Sequence, residues 1–243
     1  LVQQGNAPVD VAGLQDTPVD DPHLYIPRYV PTAPPHADMN ALRETAKLLV
    51  EAENPVIVAD KMARTPNGVT YLVQLAELVQ ASVIDLNGRM NFPNTHHLNV
   101  GPPAVRDADF ILGLEVSDFW NVINGWVDNG EEHGHGNRVS KLRPGSTAKL
   151  ATISSVELIT KANFQDFQRF QVVDISMVGD AEASLPALIE AVKSAIRNDR
   201  KAVYEKRGAA RKTAHQQARE RNRQAAALGW DASPISTARL CAE

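Results

Sequence analysis

An open, mainly parallel α/β sheet follows from three observations in this 243-residue sequence. Asn54-Pro55-Val56-Ile57-Val58-Ala59-Asp60 holds four consecutive apolar residues, three of them β-branched. Such a run has no polar face and reads as a strand buried on both sides. A helical apolar stripe stands on each side of it, and further strand-like runs recur downstream. The turn that follows, residues 60–68, reaches its only glycine at Gly68. Phosphate-cradling turns need glycine early, where the backbone must approach the ligand.

Each element has a local reason. In residues 39–53, Leu42, Ala46, Leu49 and Val50 share one helical face. Asp38 is placed to cap that helix, and Asn54-Pro55 ends it, because a residue before proline avoids the α region. Residues 68–81 form a second helix on Val69, Leu72, Val73, Ala76 and Val79, followed at once by a strand over 82–86. This βαβ unit is expected to be right-handed. The loop over 87–101 is long for a βα connection, and such loops are often functional. Residues 104–108 offer a turn of helix, and 109–115 a third strand. Residues 116–145 break the pattern and read as an excursion off the sheet. Strands are expected over 148–154 and 172–178. Asp180 caps a helix with Leu185, Leu188, Ile189, Val192 and Ile196 inside. Pro186 is tolerated near its start. Residues 200–227 are basic, with few apolar anchors, and read as a solvated connecting helix. Ser236 caps one more. The sum is a Rossmann-like α/β fold: five or six mainly parallel strands, helices on both faces, and a long C-terminal helix. Ile57 and Ile111 are expected to be buried on adjacent strands.

Composition narrows the function classes. A formal charge of −4 argues against the whole chain as a nucleic-acid binder. No apolar run approaches the roughly 20 residues of a membrane span, so no membrane partner is expected. Cys241 is the single cysteine, which leaves no disulfide or cysteine metal cluster and fits a reducing, cytoplasmic setting. The chain opens on Leu1 and then carries seven prolines by Pro35, as expected of a linker in a piece of a longer protein. The expected organisation is a linker over 1–38, the sheet domain over 39–198, and a helical linker with the start of a following domain over 199–243.

Several local words in order resemble the central domain of thiamine-diphosphate-dependent enzymes, the acetolactate synthase and benzoylformate decarboxylase group. Glu53-Asn54-Pro55-Val56-Ile57-Val58-Ala59 is similar to that domain's first strand. Phe92-Pro93-Asn94-Thr95-His96-His97-Leu98-Asn99-Val100-Gly101 is similar to its Phe-Pro loop, with His97 where the family has proline. Ala108-Asp109-Phe110-Ile111-Leu112-Gly113-Leu114 resembles its third strand. Gly179-Asp180-Ala181-Glu182-Ala183-Ser184-Leu185 resembles a helix start, and Ser233-Pro234-Ile235-Ser236 the entry into the next domain. The resemblance implies a largely structural, vestigial nucleotide-binding domain of a carboligase or decarboxylase acting on 2-keto acids. Its neighbouring catalytic domains, in a homodimeric or homotetrameric parent, would bind thiamine diphosphate and Mg²⁺. Those cofactors are held by a glutamate and a Gly-Asp-Gly…Asn motif, and this chain has neither. Isolated, it is expected to be inactive and to hold no cofactor. FAD is not expected, because Asp60 and Glu115 put negative charge where a pyrophosphate wants backbone donors. A freestanding nucleotide- or ligand-binding module is the alternative.

No catalytic residue, metal ligand or cofactor-binding residue is assigned. The resemblance places the loop over 87–97 near an active-site mouth. Asn87, Arg89 and His96 are its groups able to contact an anionic 2-keto acid, Arg89 bidentately. His96, His97, His133 and His135 with Glu131 and Glu132 have metal-ligating chemistry, but they sit in two loops without ligand spacing and read as loop polar residues. Trp120 and Trp126, near Phe119, read as packing anchors.

Overall fold

The computed structural model describes residues 33–128, 138–142, 148–156, 170–227 and 229–242. The proline-rich residues 1–32, and Glu131, Glu132, His133 and His135, lie outside them. Helix α1 (Met39–Glu51) leads into β1 (Pro55–Ala59), α2 (Pro66–Val79) and β2 (Ser82–Asp85). A 3₁₀ turn (Pro102–Asp107) precedes β3 (Phe110–Leu114) and a short α3 (Phe119–Ile123). The excursion contains β4 (Asn124–Asp128) and β5 (Arg138–Leu142), then β6 (Lys149–Ser154) and β7 (Ile175–Val178) follow. The chain closes on α4 (Ala181–Ala195), α5 (Asn198–Ala227) and α6 (Thr237–Ala242).

The sheet is parallel throughout, in the order β2-β1-β3-β6-β7. Asn99 adds one parallel bridge to Val83 at the β2 edge, so the long loop itself covers that edge. The excursion off the sheet holds an antiparallel pair, β4 with β5.

Strand alternation divides the core in two. Ile57, Ala59, Phe110, Leu112 and Leu114 pack on the face covered by α1, α2 and α4. Val56, Val58, Ile84 and Ile111 pack on the other, with Val105 of the 3₁₀ turn and Phe119 and Ile123 of α3. Helices therefore cover both faces, but unequally. Ile57 and Ile111 are both fully buried on neighbouring strands. The register sets Ile57 beside Leu112 and Val56 beside Ile111, so the two isoleucines face opposite layers. Gly113 takes the edge of the Phe119 ring, and an added Cβ would lie 3.0 Å from it.

Helix α5 departs from the solvated helix expected of residues 200–227. Its first third is docked across the carboxyl-terminal ends of α1 and α2. Arg200 donates to the carbonyls of Val50, Glu51 and Ala52 and pairs with Glu53 at 2.6 Å. Tyr204 Oη donates to Val50 O at 2.8 Å. Arg207, buried, donates to Ala52 O, Glu53 O, Val79 O and Gln80 O. Helix ends leave carbonyls without internal partners and carry partial negative charge, so guanidiniums suit them. Burial pushes the Arg207 guanidinium down to about 10, which leaves it charged at neutral pH. Beyond Gly208 most side chains of α5 are exposed, as expected.

Candidate functional site at the carboxyl end of the sheet

Ligands of open α/β sheets bind beyond the carboxyl ends of the strands, in the crevice where strand order reverses. Here that point lies between β1 and β3, since β2 extends the sheet on one side and β6 on the other. The crevice is closed. The loops leaving β1 and β3 stay paired, with Asp60 N on Leu114 O at 3.2 Å and Lys61 N on Glu115 O at 3.3 Å.

Carboxylates occupy the donors around it. Asp60, 8% exposed, accepts from the amide of Ser117 at 3.1 Å and its hydroxyl at 2.7 Å. Glu115 reaches β6 and the first turn of α4 together. It accepts from Ser154 Oγ, Ser155 N and Ser155 Oγ at 3.0–3.1 Å, and from Ala181 N at 3.1 Å. Ala181 opens α4, so this carboxylate sits where a bound phosphate would use a helix N-terminus. Glu115 holds φ at 49°, a left-handed conformation costing about 1–2 kcal/mol in a residue with a Cβ.

A third carboxylate, Glu182, accepts from Arg64 N at 2.6 Å, Thr65 N at 3.0 Å and Thr65 Oγ1 at 2.5 Å. Burial alone would raise its pKa. The Thr65 hydroxyl and the two amides outweigh that and hold it below the usual range. Arg64 also pairs with Asp180, whose other oxygen caps α4 through Ala183 N.

The loop after β2 is built around Asp85 and Asn91. Asp85 accepts from Asn87 N, Asn91 N and Phe92 N at 2.8–3.0 Å. The fully buried Asn91 donates to Asp60 O and Arg89 O and accepts from Ala63 N. Gly88 lies on Asp60 so closely that a Cβ would fall 2.0 Å from Oδ1. The loop therefore seals the β1 turn.

The three residues singled out from the sequence do not come together. Asn87, in the left-handed region at φ 60°, and Arg89 are exposed at the carboxyl end of β2. The chain then folds back, and His96 lies near the amino end of β2. His96 Nε2 is 3.1 Å from Glu77 Oε1 on α2, and its ring stacks on His97 at 4.6 Å. Trp120 is half-buried on α3, and Trp126 lies on β4. Among the described residues no three His, Cys, Asp or Glu side chains form a metal-sized group. No described helix is long and apolar enough to cross a membrane.

Asp85, Asn91 and Glu182 were not singled out. The first two had a signal, an aspartate ending a strand before Asn-Gly. Glu182 had one too, as an acid in the first turn of a helix.

No protein-family model matches the chain. Several curated relatives do, among them two of different activity. Acetolactate synthase of Mycobacterium avium is 27% identical over 190 residues, 76% of this chain and 28% of that protein. Glyoxylate carboligase of Escherichia coli O157:H7 is 28% identical over 171 residues, 70% of this chain and 27% of that protein. Among solved structures, benzoylformate decarboxylase from Polynucleobacter necessarius is similar at 16% identity and a TM-score of 0.47. That match covers 70% of this chain and 30% of that one. The sequence matches bear out the resemblance to the acetolactate synthase group. The chain spans little more than a quarter of the length of these relatives.

Proposed function

We propose that residues 39–198 are the central domain of a thiamine-diphosphate-dependent carboligase or decarboxylase acting on 2-keto acids. Residues 1–38 are its linker from the preceding domain, and 199–243 a helical linker with the start of the following domain, in a longer, homodimeric or homotetrameric parent. The observation that carries this reading is the closed switch point. Asp60 and Glu115 take the donors that a dinucleotide pyrophosphate would need, so the domain serves as scaffold. The relatives' names supply the chemistry, and the short span of each relative supplies the place for catalytic parts outside this chain.

Thiamine diphosphate and Mg²⁺ do not fit the described residues. Gly179-Asp180-Ala181 looks like a metal motif, but one Asp180 oxygen caps α4 and the other pairs with Arg64. Of the loop residues, Asn87 and Arg89 stand at the carboxyl end and are the ones to reach a neighbouring active site.

Titration calorimetry of the 243-residue chain with FAD, and separately with thiamine diphosphate and Mg²⁺, is expected to show no micromolar binding. A micromolar Kd for either, about −8 kcal/mol, would favour a freestanding cofactor-binding module. The parent reading frame should carry the cofactor glutamate upstream and Gly-Asp-Gly…Asn downstream. Their absence from both flanks would sink the assignment.

A further inference from the structure

At the opposite end of the sheet, residues 95–97 and the middle of α5 enclose an open cleft of about 580 Å³. We propose that this cleft binds a polyphosphate, a ligand carrying two or more linked phosphate groups. The inference does not rest on the function proposed above.

The cations come from one helical face. Lys212, His215, Arg219 and Arg223 are spaced by three, four and four residues, which places them in one stripe. His96 and His97 face them from the loop. Arg223 is paired with Glu220 at 3.2 Å, and His96 with Glu77. Lys212 and Arg219 have no ion pair or hydrogen bond among the described residues. Two arginines of this helix do find carboxylates, Arg200 on Glu53 and Arg223 on Glu220, whereas Lys212 and Arg219 line the cleft without one.

The cleft is also more positive than His97 favours. Burial pushes the His97 pKa down, and His96, Lys212 and His215 push it the same way, against Glu77. An incoming polyanion would offset that repulsion.

Size and lining narrow the ligand. The volume lies in the usual range for small-molecule sites, roughly 300–1,000 Å³. Lys212 and Arg219 are about two helical turns apart, about 10 Å along the axis. A phosphate chain can meet both heads along the helix, whereas a single carboxylate or phosphate would need the two side chains to bend toward each other. Among the described residues no Phe, Tyr or Trp lines the cleft, although single-strand nucleic-acid sites use such rings to stack bases.

The test is titration of the full chain with tripolyphosphate and with ATP, without metal, at about 0.15 M salt, where exposed charges are screened. Saturable, mutually competitive binding is expected. Lys212→Ala/Arg219→Ala should weaken it by about tenfold or more, the loss of about 1.4 kcal/mol. Both residues are exposed, so the melting temperature should hold. Lys206→Ala/Arg221→Ala, which removes two charges outside the cleft, should leave binding unchanged. Equal affinities for the two probes would assign the phosphate chain alone, and tighter ATP binding a nucleotide. The proposal is overturned by no saturation in the millimolar range, or by equal weakening in both double variants. It also fails if monophosphate binds as well as tripolyphosphate, or if an oligothymidylate binds more tightly than either probe.

Discussion

At the carboxyl end of the sheet, Asp60, Asp85, Glu115 and Glu182 turn their carboxylates onto N–H and O–H donors of this same chain. At the amino end, Arg200 and Arg207 turn guanidiniums onto the last carbonyls of α1 and α2. Carboxylates hold turns there too, as Asp109 does on the amides of Glu53 and Asn54. The difference lies in what is left over. The carboxyl end, the usual ligand edge of such a sheet, has its anion-binding donors filled from within. The amino end, usually mere support, continues along α5 into a cleft with unmatched cations. Position within a fold class thus says where a site would ordinarily form, and the partner list of each charge says whether it is open.

Removing Arg207 is the strongest way to break the amino end. Arg207→Ala leaves the carbonyls of Ala52, Glu53, Val79 and Gln80 short of donors. A urea melt should show a loss of about 3 kcal/mol or more, since each stranded buried group costs about 1–3 kcal/mol. A loss under about 1 kcal/mol would mean that α5 contributes little to the domain.

The carboxyl end should respond less, and differently. Glu115→Gly relieves the positive φ but frees the amides of Ser155 and Ala181. The net cost should be about 1–2 kcal/mol. The same variant should also gain weak sulfate or phosphate binding at the start of α4, detectable as added thermal stability in those salts. If no anion stabilises it more than wild type, the description of this edge as an internally filled anion site is wrong.

Acid should loosen that edge next. Glu182 has its folded pKa depressed, so its contribution is present above the unfolded value of about 4.5 and is lost as pH falls through the folded value. Melts below pH 4.5 should therefore fall more steeply in wild type than in Glu182→Gln. Parallel acid limbs would show that its hydrogen bonds do not persist in solution.

The smallest structural effect belongs to the exposed loop. Arg89→Ala should leave the melting temperature unchanged. In the parent enzyme proposed above, it should lower turnover or raise KM, whereas His96→Ala, at the other end of β2, should leave both alone. Equal kinetics for Arg89→Ala and wild type would reduce the loop to a seal.

What was legible follows from the range of the interactions. The strand at β1 and the stripe of α4 announce themselves because apolar period and caps are local. The negative charge of Asp60 and Glu115 was readable as an obstacle to pyrophosphate. How it is satisfied was not, since Ser117 lies 57 residues from Asp60 and Ala181 lies 66 from Glu115. Arg207 had no signal: it is one cation in a basic helix, and its acceptors lie 127–155 residues earlier. The separation of His96 from Arg89 was hidden for a related reason. A loop drawn as one excursion turns back along the β2 edge, and only the bridge of Asn99 to Val83 reveals it.

The position of Arg207 in the chain has a consequence for biosynthesis. A ribosome emits α1 and α2 long before α5, with 154 residues between Glu53 and its arginine partner. At roughly 5–20 residues per second, the nascent sheet waits roughly 8–30 s for that clasp. During this interval the ends of both helices depend on water for their hydrogen bonds. Translation through α5 is therefore the step that locks the amino end of the sheet.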